Sequence, residues 1–259
     1  ILDINDLWPE SLPLGPLKNL PGMGLWRNLR NNALESADHI FAECDLFKDV
    51  LETQTQNPVE PLYWARQEPA SLSEPVWEKE TAHFAYLGSI NNIIDLDLME
   101  LFFRKMNQAM PSVLHIIGDG EKNAEMTERI SKTGTRVIDH GVIFDAASKQ
   151  DIFNHCRFGV NMMKESVLAG LPMKSLDYLA AGLPLLSSAR GDLEEICQKE
   201  HAGIFLDRNS LDQAVRKIAG QSFEDSLQMR RHAHQVFKDK FTLEAFEHTL
   251  TEALDSSQK

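Results

Sequence analysis

Residues 168–184 read Leu-Ala-Gly-Leu-Pro-Met-Lys-Ser-Leu-Asp-Tyr-Leu-Ala-Ala-Gly-Leu-Pro, and this run holds the side chains best suited to chemistry. Pro172 suits a first helical position and Gly182 the residue just past a helix end, so the spacing predicts a helix of about ten residues between them. The free amides and partial positive charge of a helix N-terminus attract an anion. Lys174 falls in the first turn, where the dipole disfavours a cation, so its placement points to an anion that faces both. Asp177 follows three residues on, on the same face, within reach of a hydroxyl-bearing group beside that anion. Phosphate next to vicinal hydroxyls describes a nucleotide. The alternative is a solvated Lys174–Asp177 pair worth ~0.2–0.5 kcal/mol.

The elements around this run are regular. Apolar runs rich in Val, Ile, Leu and Phe begin near Phe84, Val113, Thr135, Phe158, Leu183 and Ala202. Helix-period stretches lie between and after them, at 97–109, 122–132, 149–156, 173–181, 192–200 and 210–219. Alternating βα units with continuously apolar strands predict an α/β fold, a doubly wound parallel sheet with helices on both faces. In such sheets ligands sit beyond the carboxyl ends of the strands, so each strand-to-helix turn is a candidate. Before it, residues 1–57 hold two more βα units, with strands at "ILDIND" and "HIFAEC" and helices near 25–37 and 45–53, and predict a partial domain. Pro58, Pro61, Pro69 and Pro75, four of the 11 prolines, mark 58–80 as a linker, because proline fixes φ and removes a donor. Residues 223–259 predict two helices, the second capped by Thr242, packing back towards the N-terminal domain.

Composition narrows the partners. The 259 residues are 42% hydrophobic and 25% charged with a net charge of −13, which repels long nucleic acid polymers. No apolar stretch approaches the ~18 residues of a membrane span, and the three cysteines, Cys44, Cys156 and Cys197, have no metal-ligand spacing. Cytoplasmic residence is the expectation. The chain opens at Ile1, inside a strand-like run, and reads as a fragment of a longer protein.

"GLPMKSLDYLAAGLPLLSS" resembles the P-x-K-x-x-E-Y-x-A-x-G-x-P-V segment of retaining GT-B glycosyltransferases that use nucleotide sugars in bacterial polysaccharide, capsule and lipopolysaccharide assembly. "AYLGSI", "LHIIGDGE", "VIDHGVIFDAASKQDIFNHCRFGVNMM" and "ARGDLEEICQKEHAGIFLD" are similar to further segments of that family, in its order, and "ILDINDLWPE" to the later part of its N-terminal domain. The resemblance implies two Rossmann-like domains, with 81–222 as the nucleotide-sugar-binding one and most of the N-terminal, acceptor-side one missing. It implies transfer from a nucleotide-diphospho-sugar such as a UDP-sugar to a saccharide or lipid-linked acceptor, without metal or other cofactor. Carried over, Asp177 takes the ribose hydroxyls, and Lys174 with the amides near Pro172 and Met173 faces the diphosphate. Gly88, Ser89 and Gly118 form glycine turns against phosphate, and His140, Gly141 and Val142 lie beside the base. Lys174 is the catalytic candidate, stabilising the leaving group. The sequence departs from the pattern in three places: Asp177 replaces Glu, Ile90, Asn91 and Asn92 stand where the family commonly has Arg and Lys, and Ala169 replaces an acidic partner. A non-catalytic nucleotide-sugar-binding module and a nucleotide-sugar epimerase of the same fold remain alternatives.

Other residues read more simply. Asp95 and Asp97 suit helix capping better than a metal pair, and no metal is expected. His115 reads as a core histidine, His155, His232, His234 and His248 as solvated, and Cys44 as a small buried hydrophobe. Residues 11–34 contain Lys18, Arg27 and Arg30 but no acid, beside Leu14, Leu17, Leu20, Leu25, Trp26 and Leu29. That window suits a peripheral contact with the cytoplasmic membrane face, or the basic outer face of an ordinary amphipathic helix.

Overall fold

The computed structural model describes residues 1–12, 21–69 and 74–256. The first part forms β1 (Leu2–Ile4), α1 (Pro21–Leu34), β2 (Ile40–Ala42), α2 (Asp45–Glu52) and β3 (Val59–Pro61), with the three strands in one parallel sheet in the order β1-β2-β3. β3 lies inside the stretch that proline content marks as linker, a correction to that reading. Among the described residues it pairs only with β2, and that open edge tolerates Pro61, whose missing N–H no described neighbour needs.

The second part forms β4 (Ala82–Leu87), α3 (Leu96–Ala109), β5 (Ser112–Ile117), α4 (Asn123–Ser131), β6 (Arg136–Asp139), α5 (Ala146–His155), β7 (Phe158–Asn161), α6 (Met173–Ala180), β8 (Leu185–Ser187), α7 (Asp192–Gln198), β9 (Gly203–Phe205) and α8 (Leu211–Gly220). Its six strands are parallel in the order β6-β5-β4-β7-β8-β9, the doubly wound α/β arrangement that the strand spacing predicts. Every residue of β4 and β5 is buried, because helices cover both faces. Phe84, Tyr86, Leu114 and Ile116 belong to one core, and Ala85, Leu87 and Ile117 to the other. α9 (Phe223–Lys240) and α10 (Leu243–Ser256) follow. Thr242 Oγ1 accepts from the Ala245 amide, capping the last helix.

The chain reverses direction across the sheet between β4 and β7. These strands pair only at Phe84–Phe158 and Ala85–Gly159, so they part before their carboxyl ends. The Tyr178 hydroxyl fills the gap, accepting from the Leu87 amide at 2.7 Å and lying 3.3 Å from the Ala85 carbonyl, to which it donates. Its ring crosses Gly159 so closely that a Cβ there would stand 2.5 Å from it. Tyr178 thereby ties α6 to the parting of the strands, which fixes where the start of α6 points.

The two sheets meet through side chains. Asp192, buried, accepts from the Asp45 and Leu46 amides at 3.0 Å each and so caps α2 from the opposite side. Tyr63 donates to Asp45 and packs edge-on against Phe241 between α9 and α10.

Candidate active site

Three glycine turns lie side by side at the carboxyl ends of β4, β5 and β6. Gly118 has a φ of 153°, and a Cβ on it would stand 2.1 Å from the Gly88 carbonyl oxygen, so only bare backbone allows these two turns to touch. The Gly118 amide donates to the Gly141 carbonyl at 2.8 Å, bringing in the third turn. Ser89 follows on the first, its carbonyl accepting from the Tyr86 hydroxyl at 2.7 Å.

Lys174 stands over this rim. It lies in the first turn of α6, and its Cε is 3.9 Å from where a Cβ on Gly88 would be. Its Nζ donates to the Tyr86 hydroxyl at 3.0 Å and sits 4.1 Å from the ring centroid. Burial pulls its pKa down to about 7, with no carboxylate to oppose the shift. At the start of α6 the Ser175 amide donates to the Pro172 carbonyl at 2.8 Å, and the Met173 and Lys174 amides precede the first intrahelical bonds. Pro172 is the N-cap of α6, not its first helical residue: its ψ of 124° is extended, and Met173 begins the helix. Gly182, with φ 63°, takes the left-handed conformation just past the helix end.

Asp177 lies one turn beyond Lys174, and Arg66 Nε approaches its Oδ1 at 3.6 Å. Arg66 comes from the segment after β3 and is anchored by its amide to the Phe241 carbonyl. A cavity of about 380 Å³ opens beside Asp177, lined by Gln67, Pro69, Ala146, Ala147, Gln150 and Phe153 among others. His140 follows β6, with Val142 and Phe144 exposed beyond it. His140 Nε2 is 2.9 Å from His115 Nδ1. Gly88, Gly118, Gly141 and Lys174 therefore stand together, Ser89, His140, Pro172 and Met173 border them, and Asp177 and Val142 lie to either side.

The sequence reading missed four residues of this region. Tyr86 holds Lys174, Tyr178 anchors α6, and Arg66 meets Asp177. The fourth, Asn161, ends β7 fully buried, with Nδ2 donating to Ser175 Oγ in the first turn of α6 at 3.0 Å. Tyr86 and Tyr178 sit in the quoted motifs, but nothing local signals their contacts. Asn91 and Asn92, at the positions where a basic pair is common, serve the loop instead: Asn91 Oδ1 accepts from the Ile93 amide, and Asn92 donates to Glu121.

Asp95 caps α3 by accepting from the Leu98 amide and also pairs with Arg208. Cys44 is buried. His234 is not solvated, a correction: its ring packs near the Ala180 carbonyl, and its side chain is 13% exposed. In the 11–34 window, residues 13–20, with Leu14, Leu17, Lys18 and Leu20, lie outside the described residues. Of the remainder, Arg27 and Arg30 both bind Glu10, while Leu25 and Leu29 are exposed. Among the described residues no helix is long and apolar enough to cross a membrane, and no group of three or more His, Cys, Asp or Glu could hold a metal ion.

Parallel strands wound outward from a central reversal, with bare-backbone turns and a lysine-bearing helix start at their carboxyl ends, make a doubly wound α/β domain. Residues 81–221 match the family of glycosyl transferases group 1, and the chain belongs to it. A UDP-glycosyltransferase (73C25) of Barbarea vulgaris is 26% identical over 177 residues, which cover 60% of this chain and 35% of that protein. A Staphylococcus aureus TarM mutant, solved with Fondaparinux, alpha-GlcNAc-glycerol and UDP, superposes with a TM-score of 0.66 at 9% identity over 90% of this chain and 46% of that one. WaaG, a glycosyltransferase involved in lipopolysaccharide biosynthesis, gives 0.66 at 12% identity over 90% and 67%. At these identities the structural likeness is one of fold, the GT-B glycosyltransferase fold. The chain spans about a third of the length of the first curated relative and about half that of TarM.

Proposed function

We propose that this chain carries the donor site of a metal-independent sugar transferase. Its donor is a nucleotide-diphospho-sugar, UDP-linked in the first instance, and its acceptor a saccharide or lipid-linked saccharide of bacterial surface polysaccharide. One observation supports this above the others: Lys174 is half-buried without an acid, beside the α6 N-terminus and over the Gly88 turn. A desolvated cation in the first turn of a helix, beside its N-terminal amides, is a preorganised site for the charge that develops on a departing diphosphate. Lys174 and the Met173 and Lys174 amides hold the diphosphate, Gly88, Ser89 and Gly118 close on it, and Asp177 orients the ribose. His140, Gly141 and Val142 border the base. The anomeric centre retains its configuration, and no cofactor takes part. The enzyme works in the cytoplasm, with peripheral membrane contact through the exposed Leu25 and Leu29. Vesicle sedimentation with anionic lipid tests that contact, and no pelleting at low salt overturns it.

A non-catalytic donor-binding module is favoured by one observation, the use of Asn91 and Asn92 in loop structure in place of a second cation. Turnover of a UDP-sugar separates the two readings. The donor site itself is tested by calorimetric titration with UDP, GDP and ADP against the wild type and Asp177→Ala. The expected result is saturable binding of one nucleotide that the substitution weakens at least tenfold. Equal binding by both proteins overturns the assignment of Asp177, and no binding of any nucleotide overturns the site.

A further inference from the structure

Three histidines cross the sheet in a diagonal. His83 enters β4, His115 lies in the middle of β5, and His140 follows β6. Val113 stands opposite His83, Ala85 and Ile138 opposite His115, so each histidine sits two residues further along the next strand. His83 Nδ1 is 3.0 Å from His115 Nε2, and His115 Nδ1 is 2.9 Å from His140 Nε2. The rings stack with centroids 5.2 Å apart at each step. His83 and His115 are buried, whereas His140 is half-buried beside the Gly118 turn. At the far end His83 Nε2 has no hydrogen-bond partner in the described residues, and Glu78 Oε1 approaches it at 3.6 Å. Glu78 is exposed, in the segment that leads into β4.

An N–H···N bond between neutral imidazoles needs one donor and one acceptor, and each neutral ring has one of each. His115, bonded on both sides, must donate on one and accept on the other, so the three rings share a single direction. We propose that this row is a hydrogen-bond relay that sets, from Glu78, whether the outer nitrogen of His140 accepts from or donates to the bound nucleotide. His83 and His115 are then positioning residues for the donor. The inference rests on the donor-site reading above for what His140 touches.

The two states balance. With all rings neutral, Glu78 favours the proton on His83 Nε2. His83 Nδ1 then accepts from His115 Nε2, His115 Nδ1 accepts from His140 Nε2, and His140 Nδ1 presents a lone pair. A proton taken from solvent at His140 Nδ1 reverses every bond. The Nε2 proton of His140 passes to His115 Nδ1, and that of His115 Nε2 passes to His83 Nδ1. His83 retains its Nε2 proton and becomes the imidazolium beside Glu78. His140 Nδ1 is now a donor, and the charge rests at the amino end of β4, an interior strand, without water reaching His83. Arg136 and Asp139 of β6 and His155 of α5 also act on the row: Arg136 and His155 oppose a charge on His83 and His115, and Asp139 favours one on His140. Burial lowers all three pKa values, His115 to about 4, so the neutral direction holds at pH 7 and the reversed one gains population in acid.

The test is imidazole nitrogen NMR on the full chain from pH 8 to 5, with UDP titration in parallel. The expected spectra show His140 bare at Nδ1 at pH 8 and gaining a proton there as the pH falls, with His83 the ring that becomes doubly protonated. Glu78→Gln, a surface change that keeps the fold, should move the reversal to lower pH, and His115→Phe should let His140 titrate alone. The ratio of UDP affinities between wild type and His115→Phe should change with pH by ~10-fold or more, since the nucleotide's own ionisation cancels in that ratio. A His140 tautomer indifferent to Glu78→Gln overturns the relay, and a pH-independent affinity ratio overturns its coupling to the donor. Absence of UDP binding with the relay intact would fail the donor-site reading and, with it, the role proposed for His140.

Discussion

Replacing Lys174 with Met keeps most of the length of the side chain and removes its charge together with the hydrogen bond to the Tyr86 hydroxyl. Charge-assisted hydrogen bonds contribute ~1.5–3 kcal/mol, so the variant should bind UDP ~10–150-fold more weakly at pH 6.5. A Coulomb term of ~4 kcal/mol at 4 Å and an effective dielectric of ~20 sets the ceiling. The wild type should also show a pH signature. Burial leaves Lys174 with a pKa of about 7 when the site is empty, and a bound diphosphate keeps it charged to higher pH. Between pH 7 and 8.5 the free protein must take up a proton to bind, so affinity falls ~10–30-fold over that range. The diphosphate has largely finished its own ionisation, near pH ~6, before this window opens. Calorimetry at pH 6.5, 7.5 and 8.5, in buffers of different ionisation heat, reads both the affinity and the proton count. Uptake near one proton per UDP at pH 8.5, absent in Lys174→Met, is the expected result. Flat affinity from pH 6.5 to 8.5 in the wild type would refute the argument that burial has poised this lysine.

Three stability measurements follow from the same geometry. Gly118→Ala puts a Cβ 2.1 Å from the Gly88 carbonyl at a φ of 153° and should cost ~2–4 kcal/mol in urea unfolding, since backbone would have to move. Asp192→Ala strips the cap from α2 and should cost ~1–2 kcal/mol, with the loss of the Asp45 and Leu46 hydrogen bonds visible as faster exchange of those amides. Glu43 has its pKa raised from 4.5 to about 7, first by burial and then by Asp6, Asp192 and Asp3. A raised carboxyl pKa stabilises the fold below pH 4.5, and that contribution is lost as pH climbs through 7. Glu43→Gln should therefore gain ~1–2 kcal/mol over the wild type at pH 8 and nothing at pH 4, compared by denaturant unfolding at both.

The alternation of buried strands and intervening helices was legible because parallel strands covered on both sides, as β4, β5 and β7 are, read as near-continuous apolar runs. Helix ends were readable where one residue type dominates the geometry, as Gly182 does at the end of α6 and Asp95 does at the start of α3. β3 was not, because its prolines argue against a strand unless an edge is known to be free. In the site, Lys174 and Asp177 stood out through their spacing on one helix. Their partners did not: Tyr86 is 88 positions from Lys174, and Arg66, which meets Asp177, comes from the segment after β3 with its amide bonded to the Phe241 carbonyl. Contacts of that separation are set by how the sheet is wound and carry no local signal. The histidine row is similar, since each residue taken alone is an ordinary core or loop histidine and only the strand register aligns them.

The central claim is that a nucleoside diphosphate sits between the glycine turns and the start of α6. Amide hydrogen exchange with and without saturating UDP tests it residue by residue. Slower exchange at Gly88–Ile90, at Gly118 and over the first turn of α6 is the predicted result. Unchanged exchange there, or protection confined to the opening among Arg190, His201 and Lys217, would contradict it.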